Sequence, residues 1–204
     1  MERQETALKS ERQETALKSE RQETVLKTDA SDNVVLGAAE QAWLDQGVDL
    51  LKREGMYLDL RRWDDWLSLF HEECEFWAPM WRSEDEMNDD PHMELSHLYY
   101  GNRKGLADRI IRIRGGRSPA TSPMPRTSHL VGNVVALDTP AENRLRLHSS
   151  WTTQVFFPRQ KLQHAYFGLS EHLLERVDGH WRIMKKRVAL QNDYIPSMLD
   201  VYCI

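Results

Sequence analysis

Cysteine is scarce in these 204 residues: Cys74 and Cys203 allow at most one disulfide. That excludes a scaffold stapled by several disulfides, and a reducing compartment is expected. Long apolar runs are lacking too. No stretch approaches the roughly 18 to 20 residues that cross a bilayer, and the N-terminal MERQETALKS holds no apolar segment of the secretory kind. The expectation is a cytoplasmic protein without a membrane segment. Positive charge is in deficit, with 27 Lys and Arg against 32 Asp and Glu and a formal net charge of -5. Nucleic-acid surfaces are normally basic, so the expected partners are proteins or small molecules. G-x-S-x-G and G-x4-G-K-[ST] do not occur, leaving a hydrolase elbow or a phosphate loop without support.

What is present begins with a repeat. ERQETALKS, ERQETALKS and ERQETVLKT start at Glu2, Glu11 and Glu20. Nine helical residues turn through about 900°, so Leu8, Leu17 and Leu26 fall on alternating sides and build no continuous apolar stripe. Solenoid repeats are about 20 to 50 residues long, and each unit here is charge-balanced. The repeat therefore reads as an appended arm. TDASDN, residues 28 to 33, supplies turn and helix-capping residue types. The expected division is an arm and linker over 1–33 and one domain over 34–204, long enough for a single core.

Within that domain, Val35, Ala39, Ala42, Trp43, Val48, Leu51, Tyr57 and Leu58 fit an amphipathic helix to Leu60, weakened locally by Gly47 and Gly55. A second helix over 63–70 places Trp63, Trp66, Leu67 and Phe70 at spacings of three and four, with Asp64 and Asp65 outward. His71 to Glu73 read as a turn, followed by a strand over 74–80 that Pro79 ends and another in ELSHLYYG. GLADRIIRIRGG forms a third helix with Leu106, Ile110 and Ile113 on one face, arginines opposite and Gly115 and Gly116 as a stop. In RLRLHSSWTTQVFF, apolar Leu145, Leu147, Trp151, Val155 and Phe157 alternate with polar residues, as in a half-buried strand. Asp178-Gly179 joins two further strands by a tight turn. Helices first and antiparallel strands after them describe an α+β fold in which a curved sheet wraps over N-terminal helices.

Three sets of residues suggest chemistry. Asp89, His92 and His97 follow D-x2-H-x4-H, a donor set for non-haem iron, but i,i+5 side chains lie about 140° apart on a helix and Pro91 interrupts the pattern. No C-x-H with a later C-x2-H is present for a Rieske cluster. His71 with Cys74 is half of a zinc pattern. Asp59, Asp64 or Asp65 with His71, His129 or His148 could form an acid–base pair inside the cone. That pair would suit a stand-alone dehydratase or isomerase, whereas an apolar cavity without one would suit a binding module. Charge is also segregated: residues 84–94 hold six acids, and 103–126 hold seven Lys or Arg against Asp108. Such patches are either solvated faces or complements across a subunit interface.

WDDWLSLFHEECEFWAPM, LSHLYYGNRKGLADRIIRIRGGRS, PRTSHLVGNV and KKRVALQNDYIPSMLDVYCI occur in that order between Val35 and Ile204. On these residues the chain resembles the β (small) subunit of aromatic-ring-hydroxylating dioxygenases, the Rieske non-haem iron oxygenases. The resemblance implies a nuclear-transport-factor-like, cystatin-like cone. It also implies assembly with a large α subunit, usually as α3β3 with contacts to other β subunits. The α subunit would carry the Rieske [2Fe-2S] cluster, the mononuclear Fe(II) and most of the substrate pocket. The β chain would then be structural, with no catalytic, cofactor-binding or metal residues of its own, and Asp89, His92 and His97 would be coincidental. A tyrosine-rich segment and the DYI and DVY turns look closest to members acting on benzoate-like acids.

Overall fold

The computed structural model describes residues 36–116, 123–196 and 199–204; the repeats and their linker lie outside them. Helix α1 (Ala38–Asp59) opens with the Gly37 N–H donating to Glu40 Oε2 at 2.6 Å, which satisfies one of the amide groups a helix start leaves over. It runs unbroken through Gly47 and Gly55. Both glycines mark close approaches to the sheet: a Cβ at Gly55 would lie 2.9 Å from His129 Cβ, and one at Gly47 would overlap the Leu145 side chain. The residues that weaken the helical pattern in sequence are thus those that let the helix dock.

Helix α2 (Trp63–Ser68) buries Trp63 and Trp66 and leaves Asp64 outside. Strand β1 then runs from Phe70 to Pro79, four residues earlier than expected, so His71 to Glu73 form strand and not a turn. The reason is long-range. Phe70 pairs in parallel with Ile183, and the Ile183 N–H donates to the Leu69 carbonyl at 2.8 Å. The register shift between Phe70 and Glu75 lets the polar residues ride outward on an irregular stretch.

Strand β2 (Ser96–Tyr100) leads to helix α3 (Arg103–Arg114), whose first turn is capped by Asn102 accepting from the Gly105 N–H at 2.9 Å. Strands β3 (Arg126–Ala136), β4 (Arg144–Phe157), β5 (Leu162–Val177) and β6 (His180–Leu190) follow. Asp178 and Gly179 both take positive φ, 51° and 79°, as the β5–β6 turn requires. The sheet order is β2-β1-β6-β5-β4-β3, with β1 and β6 parallel and the other neighbours antiparallel.

Helix α1 packs on β3, β4 and β6, and α3 on β1 and β2. Between helices and sheet, Trp66, Phe70, Phe76 and Tyr100 form a chain of edge-to-face and tilted rings 4.8 to 6.5 Å apart. Leu199 to Ile204 close the core as a buried terminal segment with a 3-10 turn at Val201–Cys203. Both cysteines are free and buried, and burial pushes their thiols up, Cys74 to about 11 and Cys203 to about 12. They behave as small core residues.

Candidate functional site

The end of α1 and the start of β3 bring one of the expected acid–base pairs together. Asp59 Oδ1 lies 2.6 Å from His129 Nδ1, while Oδ2 accepts the His129 N–H at 2.9 Å and Oδ1 the Thr127 hydroxyl at 2.8 Å. Partial burial disfavours the Asp59 charge, but these bonds outweigh it and hold the carboxyl below its ordinary range. An ionised Asp59 can only accept, so Nδ1 carries a proton and Nε2 is the far end of the ring. This is the layout of a histidine base oriented by a carboxylate.

The other candidates stay apart. Asp64 pairs with Arg114 at 2.7 Å and Asp65 with Arg62 at 2.8 Å, both on the surface. The His71 Nδ1 accepts from the Glu73 N–H at 3.1 Å, and His148 stands on the sheet's outer face beside Glu171. Asp89 is 88% exposed, His92 packs edge-on to Tyr99, and the His97 Nε2 is buried without a partner. Among the described residues, no three His, Cys, Asp or Glu side chains are grouped to hold a metal.

A second cluster went unnoticed in the sequence. Lys186 Nζ donates to Glu54 Oε1 at 2.7 Å, and His172 Nε2 stands 3.5 Å from Glu54 Oε2, all three side chains being almost fully buried. Burial opposes the Glu54 charge, yet Lys186 and His172 hold its carboxyl low; burial likewise depresses His172 despite Glu54. Glu54 betrays itself only by position, three residues after Leu51 and four before Leu58 on the apolar stripe.

His129 of the first cluster and all three residues of the second line one cavity of about 30 Å³, with Ser149, Trp151 and Ser170 on its sheet side. That is room for a water or two and for no organic substrate. A broader groove of about 650 Å³ opens to solvent between α2 and α3. It is lined by carboxylates, Asn102, Arg103 and Lys104 but no histidine. The open polar cavity that a dehydratase or isomerase requires is not formed around Asp59 and His129.

Much of the charge segregated in sequence is compensated within the chain. Arg82 gathers Glu86, Glu94 and, at 3.9 Å, Asp89. On α3, Arg103 meets Glu72 at 2.9 Å, and Arg109 makes a two-point contact with the fully buried Asp200, its Nε donating at 2.9 Å to Oδ1.

With the interior filled, comparison with known proteins decides between the functions this cone could serve. A family model described as "Ring hydroxylating beta subunit" matches residues 53–197. The chain belongs to this ring-hydroxylating β-subunit family. It is 39% identical over 163 residues to the 2-halobenzoate 1,2-dioxygenase small subunit of Burkholderia cepacia, covering 80% of this chain and 96% of that one. The crystal structure of the benzoate 1,2-dioxygenase β subunit from Burkholderia mallei superposes with a TM-score of 0.62 at 33% identity, covering 76% and 93% of the two chains. A putative scytalone dehydratase from Novosphingobium aromaticivorans superposes with a TM-score of 0.60 at 14% identity over 79% and 94%. The latter likeness concerns the fold alone. This ring-hydroxylating β subunit is therefore a dioxygenase component on a cone fold that the putative scytalone dehydratase also adopts.

Proposed function

We propose that this β subunit supports the α subunit of a multicomponent oxygenase that cis-dihydroxylates a benzoate-like acid. The Rieske [2Fe-2S] cluster, the mononuclear Fe(II) and every catalytic residue then lie on the α chain, and the working particle is a cytoplasmic α3β3 hexamer. The division into an arm over 1–33 and a β-subunit domain over 34–204 belongs to the same reading.

The observation that carries it is the family match over most of the chain, joined to relatives named for benzoate and halobenzoate. The near-filled interior supports a structural role, because a 30 Å³ cavity admits no aromatic acid. Asp59–His129 and Glu54–Lys186–His172 then serve as polar ties between α1 and the sheet. The test is co-expression with the large α subunit of a benzoate-type ring-hydroxylating dioxygenase, followed by co-purification and mass measurement. A stable complex with equal numbers of the two chains and turnover of benzoate-like acids is the expected result. A β chain that never associates with that partner contradicts it.

A further inference from the structure

Among the described residues six buried ring nitrogens have no hydrogen-bond partner, and four of them belong to residues that line one cavity: His129 Nε2, Trp151 Nε1, and Nδ1 and Nε2 of His172. At 3.5 Å the approach of Glu54 to His172 Nε2 is electrostatic and leaves that nitrogen without a formed bond. Buried polar groups left in this state forfeit their hydration with nothing in return, so native structures rarely keep them dry. His129, Trp151 and His172 all line the same cavity of about 30 Å³, together with the hydroxyl-bearing Ser149 and Ser170. A cavity of about 10 to 15 Å³ already holds one water.

We propose that this cavity is an internal hydration site, in which one or two water molecules bridge His129 on β3, Trp151 on β4 and His172 on β5. The chemistry selects a neutral ligand. Glu54 and Lys186 cancel each other's charge at the wall, and the Asp59 carboxylate, outside it, is held by hydrogen bonds from His129 and Thr127. The Trp151 N–H can only donate, His129 Nε2 stands opposite a proton-bearing Nδ1 and can accept, and a neutral His172 offers one group of each kind. Water, with two donors and two acceptors, satisfies this mixture. A cation would meet the Lys186 ammonium and the indole N–H, and an anion would meet Glu54.

The site adds to the direct polar ties between α1 and the sheet. Glu54, Gly55 and Leu58 of α1 form one wall and residues of four strands, β3 to β6, form the other, so the waters complete the seam along which α1 docks. Gly55 keeps this seam close, since a side chain there would press on His129.

The test is a crystal structure of the full chain at a resolution that shows ordered water, paired with a double-mutant cycle on folding stability. The expected density is one or two peaks within hydrogen-bond distance of His172 and of His129 Nε2 or Trp151 Nε1. An empty cavity overturns the proposal, as does a peak ringed by oxygen ligands at metal distances. In the cycle, His129→Phe and His172→Phe each remove a water ligand. Bridging water predicts that their effects on the folding equilibrium couple by at least about twofold, and strict additivity counts against a bridge. Should either variant fail to fold, the wild-type density decides alone.

Discussion

Lys186 Nζ lies 2.7 Å from Glu54 Oε1 at the centre of the cone, and neither side chain is more than 6% exposed. Removing one partner strands the other charge. Glu54→Gln or Lys186→Met should each cost about 3 to 5 kcal/mol, whereas the apolar double replacement Glu54→Leu with Lys186→Met should cost much less. Denaturant unfolding of the three variants checks this. Single losses no larger than that of the double variant would show that the pair is not energetically coupled.

Acid should weaken this core in two stages. Burial lowers the His172 pKa from its ordinary 6.5, so the folded state binds fewer protons there than the unfolded chain. Stability is then full above about 6.5 and starts to fall as pH drops below it. Glu54 and Asp59 are also depressed, from ordinary values of 4.5 and 3.8. Their contribution is present above those values and is lost as pH falls toward their folded values. Unfolding midpoints measured from pH 7.5 to 4 should decline, and His172→Gln should flatten the part that begins just below about 6.5. An unchanged slope in that variant would assign the first stage to another group.

Trp66 is fully buried, with its ring 4.8 Å from Phe70 and 6.5 Å from Phe76. Trp66→Ala should destabilise the fold by about 3 to 5 kcal/mol as a large core deletion. Activity should fall only through the yield of assembled oxygenase, so turnover per assembled particle stays at the wild-type level. A variant with normal stability and assembly but lost turnover would show that Trp66 acts in turnover and not only in packing.

Arg109 fastens the terminal segment by its contact with Asp200, which is wholly buried. In Arg109→Met that carboxylate loses its guanidinium, a change of the class that costs about 3 to 5 kcal/mol. The segment from Leu199 onward should become the first part cleaved by carboxypeptidase, read by mass spectrometry. Cleavage at the wild-type rate would show that apolar burial of Val201, Tyr202 and Ile204 holds the segment by itself.

The elements legible in sequence were those with a strong local period. The alternation of β4 and the Asp178-Gly179 turn match the structure, and the expected stripe of α1 holds at Leu51 and Leu58 but not at Ala39 and Ala42, which are exposed. Strand β3 gave no comparable signal, because it is a sheet edge whose inward positions include Thr127 and His129. The early start of β1 depends on pairing with Ile183, more than 100 residues later in the chain. Lys186 was hidden by parity. Trp181 and Ile183 face inward, and unbroken alternation would bring in Lys185, but the register shift between Leu173 and Leu174 turns Lys186 inward instead. Arg109 read as one of several outward arginines until Asp200 folded back onto it. For Asp59 and His129 the residue types were visible, but only the docking of α1 on β3 selects that pair over the alternatives.

If this chain supports a catalytic partner and performs no ring oxidation itself, iron and turnover belong to the complex; that proposal is open to direct measurement. Its most direct test is the iron content and dioxygenase turnover of the purified chain alone, supplied with electron-transfer partners and a benzoate-like acid, beside the same assay with the α subunit added. The expected result is no bound iron and no turnover alone, with both present in the complex. Stoichiometric iron or product formation by this chain alone would contradict the account.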